Sequence, residues 1–334
     1  MSTGIEWTEE TWNPLVGCSK VSPGCEHCYA IRMAWRLKHI PAMAALYGPV
    51  VKKTDGGKLN WTGAINYNEK ALMAPLLNKK PTKYFVNSMS DLFHPSVPFE
   101  FVDKVFAVMA ACPQHVFQVL TKRPERMAWW FKSKKNDYTN ASTEERVFDI
   151  GFWELHKDTT RQWPLPNVWL GVSVENQKMA DERIPLLLQV PAAVRWLSME
   201  PLLGPVDITS YTKTYGGAPL YIYDDDTEIW PVDWVVVGGE SGHGSRPMHP
   251  DWVRMLRDQC VEAKVRFFFK QWGDWAECKS SSHNAYQVDF DGDKCPMPQI
   301  LAGAVEPIKF MRRVGKKEAG RLLDGVEWNE YPEG

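Results

Sequence analysis

The sequence predicts an α/β protein, a closed or partly closed (β/α) barrel of about six units with long loop insertions. Three observations carry that prediction. Short, almost wholly apolar runs such as Tyr84-Phe85-Val86, Val168-Trp169-Leu170 and Trp234-Val235-Val236-Val237 recur along the chain, as expected of buried strands. Each is followed by a stretch with helical spacing, so the repeating unit is βαβ and the sheet parallel. No G-x-G-x-x-G follows the first strand, which weighs against the competing architecture, an open doubly wound sheet that binds a dinucleotide.

The elements follow in order. A first strand precedes a cysteine-rich loop. Ala30 to Leu46, rich in Ala, Met, Arg and Leu, reads as helix with a break at Pro41, and Val51 to Gly63 as polar and turn-rich. Tyr84 to Ser88 is a strand, and Phe99 to Cys112 a helix with Phe101, Val102, Val105, Phe106 and Met109 on its apolar side. Val116 to Leu120 is the next strand, with a short helix around Arg126 to Phe131. Val168 to Val174 precedes a helix from about Lys178 to Gln189, and Val194 to Ser198 is the next strand. Trp234 to Val237, a helix from Asp251 to about Lys264, and Arg266 to Phe269 complete the alternation. We place the barrel at residues 1–273, with insertions at about 132–166 and 207–231, and a C-terminal extension at 274–334.

The 334 residues carry 39 Lys and Arg against 41 Asp and Glu, a formal net charge of −2. No global basic field advertises nucleic acid, although a local groove is compatible with that balance. No apolar run approaches the length of a membrane span, and the N-terminal residues lack the basic and apolar regions of a signal peptide. The expectation is a cytoplasmic protein with no membrane association. In that compartment clustered thiols point to metal binding or catalysis more than to disulfides, and seven Cys is an odd number. The 16 Trp, many at loops and element ends, offer walls for a flat ligand. Packing under loops accounts equally well for any single one.

Three of those Cys, Cys18, Cys25 and Cys28, fall on a Gly/Pro loop, the last two as C-x-x-C. They read as metal ligands. Zinc wants a fourth donor to close a tetrahedral site, and with His27 trapped inside the C-x-x-C, His39 or His94 would have to serve. An iron–sulfur cluster on three thiolates leaves one iron open for chemistry.

The three Cys behind Thr11-Trp12-Asn13-Pro14 occur together with Ser90-Asp91-Leu92-Phe93, Leu120-Thr121-Lys122-Arg123-Pro124 and Val172-Ser173-Val174-Glu175-Asn176. Ser198-Met199-Glu200-Pro201-Leu202-Leu203-Gly204 and Gly238-Gly239-Glu240-Ser241-Gly242 complete the set. The cysteine loop resembles that of the radical S-adenosylmethionine (radical SAM) enzymes, except that six residues separate Cys18 from Cys25, a longer first gap than is usual there. The full combination resembles the phage and bacterial three-Cys-motif family, also called the phage gp-thirty-seven/gp-sixty-eight family, whose function is not established.

The resemblance implies a radical SAM-like partial barrel in which Cys18, Cys25 and Cys28 hold a 4Fe–4S cluster and S-adenosyl-L-methionine occupies the open iron. It implies an enzyme that cleaves S-adenosylmethionine to start radical chemistry on an unknown substrate. It also implies a three-Cys-motif partner protein and a reductant such as flavodoxin or ferredoxin. The phage-like association points to a nucleotide or nucleic acid as substrate. The alternatives are a zinc-binding nucleic-acid or interaction module and a phage accessory subunit without catalysis.

Polar residues at the C-terminal ends of parallel strands line the mouth of a barrel. On that ground Ser88, Asp91, Glu175, Glu200 and Glu240 are expected to bind cofactor, and Gly238 and Gly239 join them by resemblance. Gly238-Gly239-Glu240 resembles the glycine-rich strand end that holds the methionine moiety in radical SAM enzymes. Lys122, Arg123, Arg246 and Lys270 are expected to meet a carboxylate or phosphate of the substrate. Asp289 to Asp293 lacks the Gly and Glu positions of an EF-hand loop. Cys278 and Cys295 read as free thiols, and Cys112 and Cys260 as core.

Overall fold

The structure is a computed structural model that describes residues 3–133, 142–150, 162–212, 231–280, 282–290 and 308–333, together with the backbone of 214–215, 218–219 and 294–295. Seven strands form one parallel sheet: β1 (Glu10–Trp12), β2 (Lys83–Val86), β3 (Val116–Thr121), β4 (Val168–Ser173), β5 (Val194–Met199), β6 (Trp234–Gly238) and β7 (Arg266–Gln271). Their order in the sheet is their order in the chain. That sequential order has no reversal point, so the doubly wound alternative falls, and the topology is that of a (β/α) barrel left open between its first and last strands.

The strands form where the apolar runs are. Every residue of β4, β5 and β6 is buried, which only a sheet covered on both faces permits. The register aligns large side chains across neighbours: Trp196 of β5 faces Trp234 of β6 with ring centroids 5.4 Å apart. Tyr84 of β2 stacks on Phe117 of β3 at 5.6 Å.

The helices longer than four residues among the described residues are α1 (Tyr29–Leu37), α2 (Pro41–Tyr47), α3 (Phe99–Ala110), α4 (Pro124–Lys132), α5 (Thr143–Asp149), α6 (Gln177–Leu187) and α7 (Pro250–Ala263). Pro41 separates α1 from α2 by starting the second, where its missing N–H costs nothing. The 132–166 insertion contains α5, whose start is fixed by a reciprocal Ser142–Glu145 capping box; residues 134–141 and 151–161 lie outside the described set. Most of the 207–231 insertion, including Asp224-Asp225-Asp226, lies outside it too, as do Asp291 to Asp293 and the side chain of Cys295.

A four-stranded antiparallel sheet near the C-terminus, in the order Trp275–Glu277, Lys309–Arg313, Tyr286–Val288, Lys294–Cys295, was not expected from the sequence. Cys112 and Cys260 are buried, as expected of core thiols, and Cys278 is free. Among the described residues, no helix is long and apolar enough to cross a membrane.

The chain packs as two compact units. One is Met1–Val172 with Gln189–Arg195, and the other Ser173–Leu188 with Trp196–Glu333.

Candidate functional site

In the first unit, β1 runs directly into the cysteine loop. Gly17 has φ +100°, and a Cβ there would stand 2.2 Å from the Ala64 carbonyl oxygen, so only glycine fits. Its N–H donates to Met89 O (3.1 Å), fixing the loop beside the end of β2. Cys25 closes a short 3₁₀ turn, Pro23–Cys25, with Ser22 Oγ 3.7 Å from its sulfur. Cys28 is the N-cap of α1, without a side-chain cap hydrogen bond. Tyr29 hydroxyl donates to Ser88 O (2.8 Å), and the Ser88 and Asn13 side chains bond at 3.1 Å.

Burial pushes the Cys18 thiol up to about 12, with the Asp91 charge adding to the shift and Arg123 opposing it. Burial also raises Cys28, opposed by the Ala30 and Ile31 amides and by the Lys122 charge. Thiols held this way stay protonated in neutral water, and a metal centre takes them by displacing the proton.

Lys122 and Arg123, which follow β3, are the cations that oppose those shifts. Arg123 Nη1 donates to Cys18 Sγ (3.7 Å) and to Asp91 Oδ2 (2.7 Å), while Nη2 donates to Ser19 O and Oγ, both at 3.0 Å. The carboxylate that Arg123 meets is Asp91. That carboxylate accepts four donors: Thr121 Oγ1 (2.7 Å), Phe93 N (3.0 Å), Lys122 N (3.1 Å) and Arg123. Its hydrogen-bonding capacity is full, so its work is to hold Arg123 against Cys18.

Neither histidine that a zinc site would need is poised as a fourth donor. His94 Nε2 is 2.9 Å from Ser19 Oγ and its Nδ1 accepts Ser96 N–H (3.2 Å). Burial, then Arg123, lowers His94 to about 4, so the ring is neutral. His39 is exposed, with Nδ1 2.7 Å from Trp35 O. Among the described residues no three His, Cys, Asp or Glu side chains are grouped tightly enough to hold a single metal ion. One zinc with four sulfurs at about 2.3 Å would need donors only about 4 Å apart.

Asn87, immediately after β2, was not singled out by the sequence. It is 4% exposed, has φ +63°, and neither its amide oxygen nor its amide nitrogen has a partner among the described residues. A buried amide without partners costs about 1–3 kcal/mol, and it sits one residue before Ser88. Its place at a strand end was the one signal that could have found it.

In the second unit the remaining candidates form three pairs. Glu175, fully buried after β4, bonds Arg183 of α6 at 3.0 Å. Glu200, after β5, meets Lys270 of β7 at 3.0 Å. Glu240 takes Arg246 through two side-chain bonds, Nε to Oε2 at 2.9 Å and Nη2 to Oε1 at 2.6 Å. The two glycines are filled from within the protein. A Cβ on Gly238 would lie 2.4 Å from Glu200 Oε1, and one on Gly239 2.2 Å from the Trp272 carbonyl oxygen.

Fold and site together define an α/β protein with a sequentially ordered parallel sheet and a three-thiol loop after its first strand. A family model described as a protein of unknown function, DUF5131, matches residues 2–332, and the chain belongs to that family. No curated protein matches the chain, and no solved structure does.

Proposed function

We propose that the protein is a radical SAM-like iron–sulfur enzyme. Cys18, Cys25 and Cys28 would hold a 4Fe–4S cluster, with S-adenosylmethionine at the open iron and a nucleotide or nucleic acid as substrate. The observation that carries the reading is the donor set: three thiols on the loop after β1, two of them beside cations, with both candidate fourth ligands already engaged. Three thiolates are what a cluster with one open iron requires. Bound there, the pair supplies one-electron chemistry that a protein side chain cannot.

The chain's own residues have separate tasks. Arg123 donates to the Cys18 sulfur, and hydrogen bonds to ligating sulfurs tune a cluster's potential. Asp91 orients Arg123. Asn87 offers a buried donor and acceptor to a polar ligand, and Ser88 lies next to it. The Cys28 position at the start of α1 places a thiolate where backbone N–H groups stabilise negative charge.

Anaerobic reconstitution tests the reading. We expect about four iron and four sulfide per chain, an EPR signal that S-adenosylmethionine perturbs, and 5′-deoxyadenosine on reduction. Replacing any of Cys18, Cys25 or Cys28 by Ala abolishes all three. Stoichiometric zinc with no iron overturns the proposal, and a cluster that never yields 5′-deoxyadenosine reduces it to an iron–sulfur subunit.

A further inference from the structure

The segment between β1 and β2 has a charge unlike that of the rest of the chain. Residues 15–68 hold seven Lys and Arg but only two acidic residues, Glu26 and Asp55, in a protein whose net charge is −2. The segment is a module with a core of its own, in which Val16, Ala34, Tyr47, Val51 and Trp61 are buried and against which Cys18 and Cys28 pack. On its outside, α1 packs against the antiparallel strands Val51–Lys53 and Leu59–Trp61.

That packing brings cations from two elements together. Lys38, just past α1, has its ammonium 3.6 Å from the centroid of the Trp35 ring, and Lys53 of the hairpin lies 5.3 Å from the same centroid. Arg36, Lys52, Lys53 and Lys58 are exposed, and none of these four nor Lys38 makes an ion pair with a carboxylate among the described residues. The indole face offsets part of the repulsion. Lys38 and Lys53, brought over one indole with no ion-paired carboxylate among the described residues, raise the local potential and draw a polyanion.

We infer that α1 and the 51–61 hairpin form a basic platform that binds the phosphate backbone of a nucleic acid. Trp35 is covered by lysine, so the platform reads phosphates and not bases, and it holds the strand in a sequence-tolerant way. Cys18 and Cys28 pack on the same core, so the platform and the thiol loop belong to one module. The binding itself does not depend on what the thiols carry; only the step from bound strand to substrate rests on the proposed function.

The test is fluorescence anisotropy on the full chain with labelled single- and double-stranded oligodeoxynucleotides across a salt series, with and without cluster reconstitution. The wild-type protein should bind at low salt, and the triple substitution Arg36→Ala, Lys38→Ala, Lys53→Ala should weaken binding at least about tenfold and lower the salt slope by about two. Lys52→Glu with Lys58→Glu, at exposed hairpin positions, should do the same if the triple variant does not fold. Lys316→Ala with Lys317→Ala, in the other unit, should leave binding unchanged. Oligonucleotide binding that survives both platform variants overturns the inference, as does equal loss in the Lys316/Lys317 control. Equal affinity for phosphatidylglycerol vesicles or polyglutamate overturns it as well. Failed reconstitution with intact oligonucleotide binding would sink the cluster and leave the platform standing.

Discussion

Asp91 shows how much of a site can rest on one side chain. Its carboxylate is 7% exposed and accepts four donors, and its partner Arg123 is 8% exposed. Removing one member of a buried pair leaves the other charged and unpaired. Asp91→Ala is therefore expected to lower unfolding free energy by about 3–5 kcal/mol, read by urea denaturation of the cluster-free protein. A change below about 1 kcal/mol would mean that water replaces the carboxylate and that the pair is not a brace. The sequence placed Asp91 and Arg123 at strand ends, and they follow β2 and β3 in the structure. It could not show that the carboxylate is saturated from within, because its four donors are set by the β2 and β3 ends lying side by side.

At the scale of elements, the joint between β6 and β7 is made by absent side chains. Gly239 lies against the Trp272 carbonyl, and Gly273, at φ +80°, against the Glu240 carbonyl, so that a Cβ on either would stand only 2.2 Å from that oxygen. Those neighbours are backbone and have little freedom to move, so Gly239→Ala should cost about 3 kcal/mol, seen as a lowered thermal midpoint. An unchanged midpoint would show that the joint is loose. Gly238 and Gly239 resemble a ligand-binding strand end in the sequence, and Glu200 and the Trp272 carbonyl stand against them. The apolar runs of β4 and β6 were legible because a strand buried on both faces carries few polar positions to interrupt it. The antiparallel sheet over 275–313 was not, because its strands are two to five residues long and alternate too briefly to register.

For the whole molecule, the proposed cofactors act on stability by mass action, since whatever binds only the folded chain raises its apparent stability. S-adenosylmethionine at about a hundred times its dissociation constant should stabilise the reconstituted protein by about 2.7 kcal/mol. A thermal-shift series should show the midpoint rising with ligand concentration, and Asn87→Gly should blunt the rise while tolerating the positive φ. A midpoint indifferent to S-adenosylmethionine in cluster-loaded protein would remove Asn87 and the open iron from the account together.

The sequence by itself determined the alternation of strands and helices, the thiol loop and the polar strand ends, because each is written in neighbouring residues: apolar runs, Gly/Pro turns and a C-x-x-C. Tertiary structure alone decided which charges meet. It ordered the strands sequentially and set the fully engaged Asp91 behind Arg123. It left the side-chain amide of Asn87 buried without a hydrogen-bond partner among the described residues. It also gathered Lys38 and Lys53 over one indole. Electrostatics depends on distance and burial, and residues far apart in the chain acquire both only when it folds.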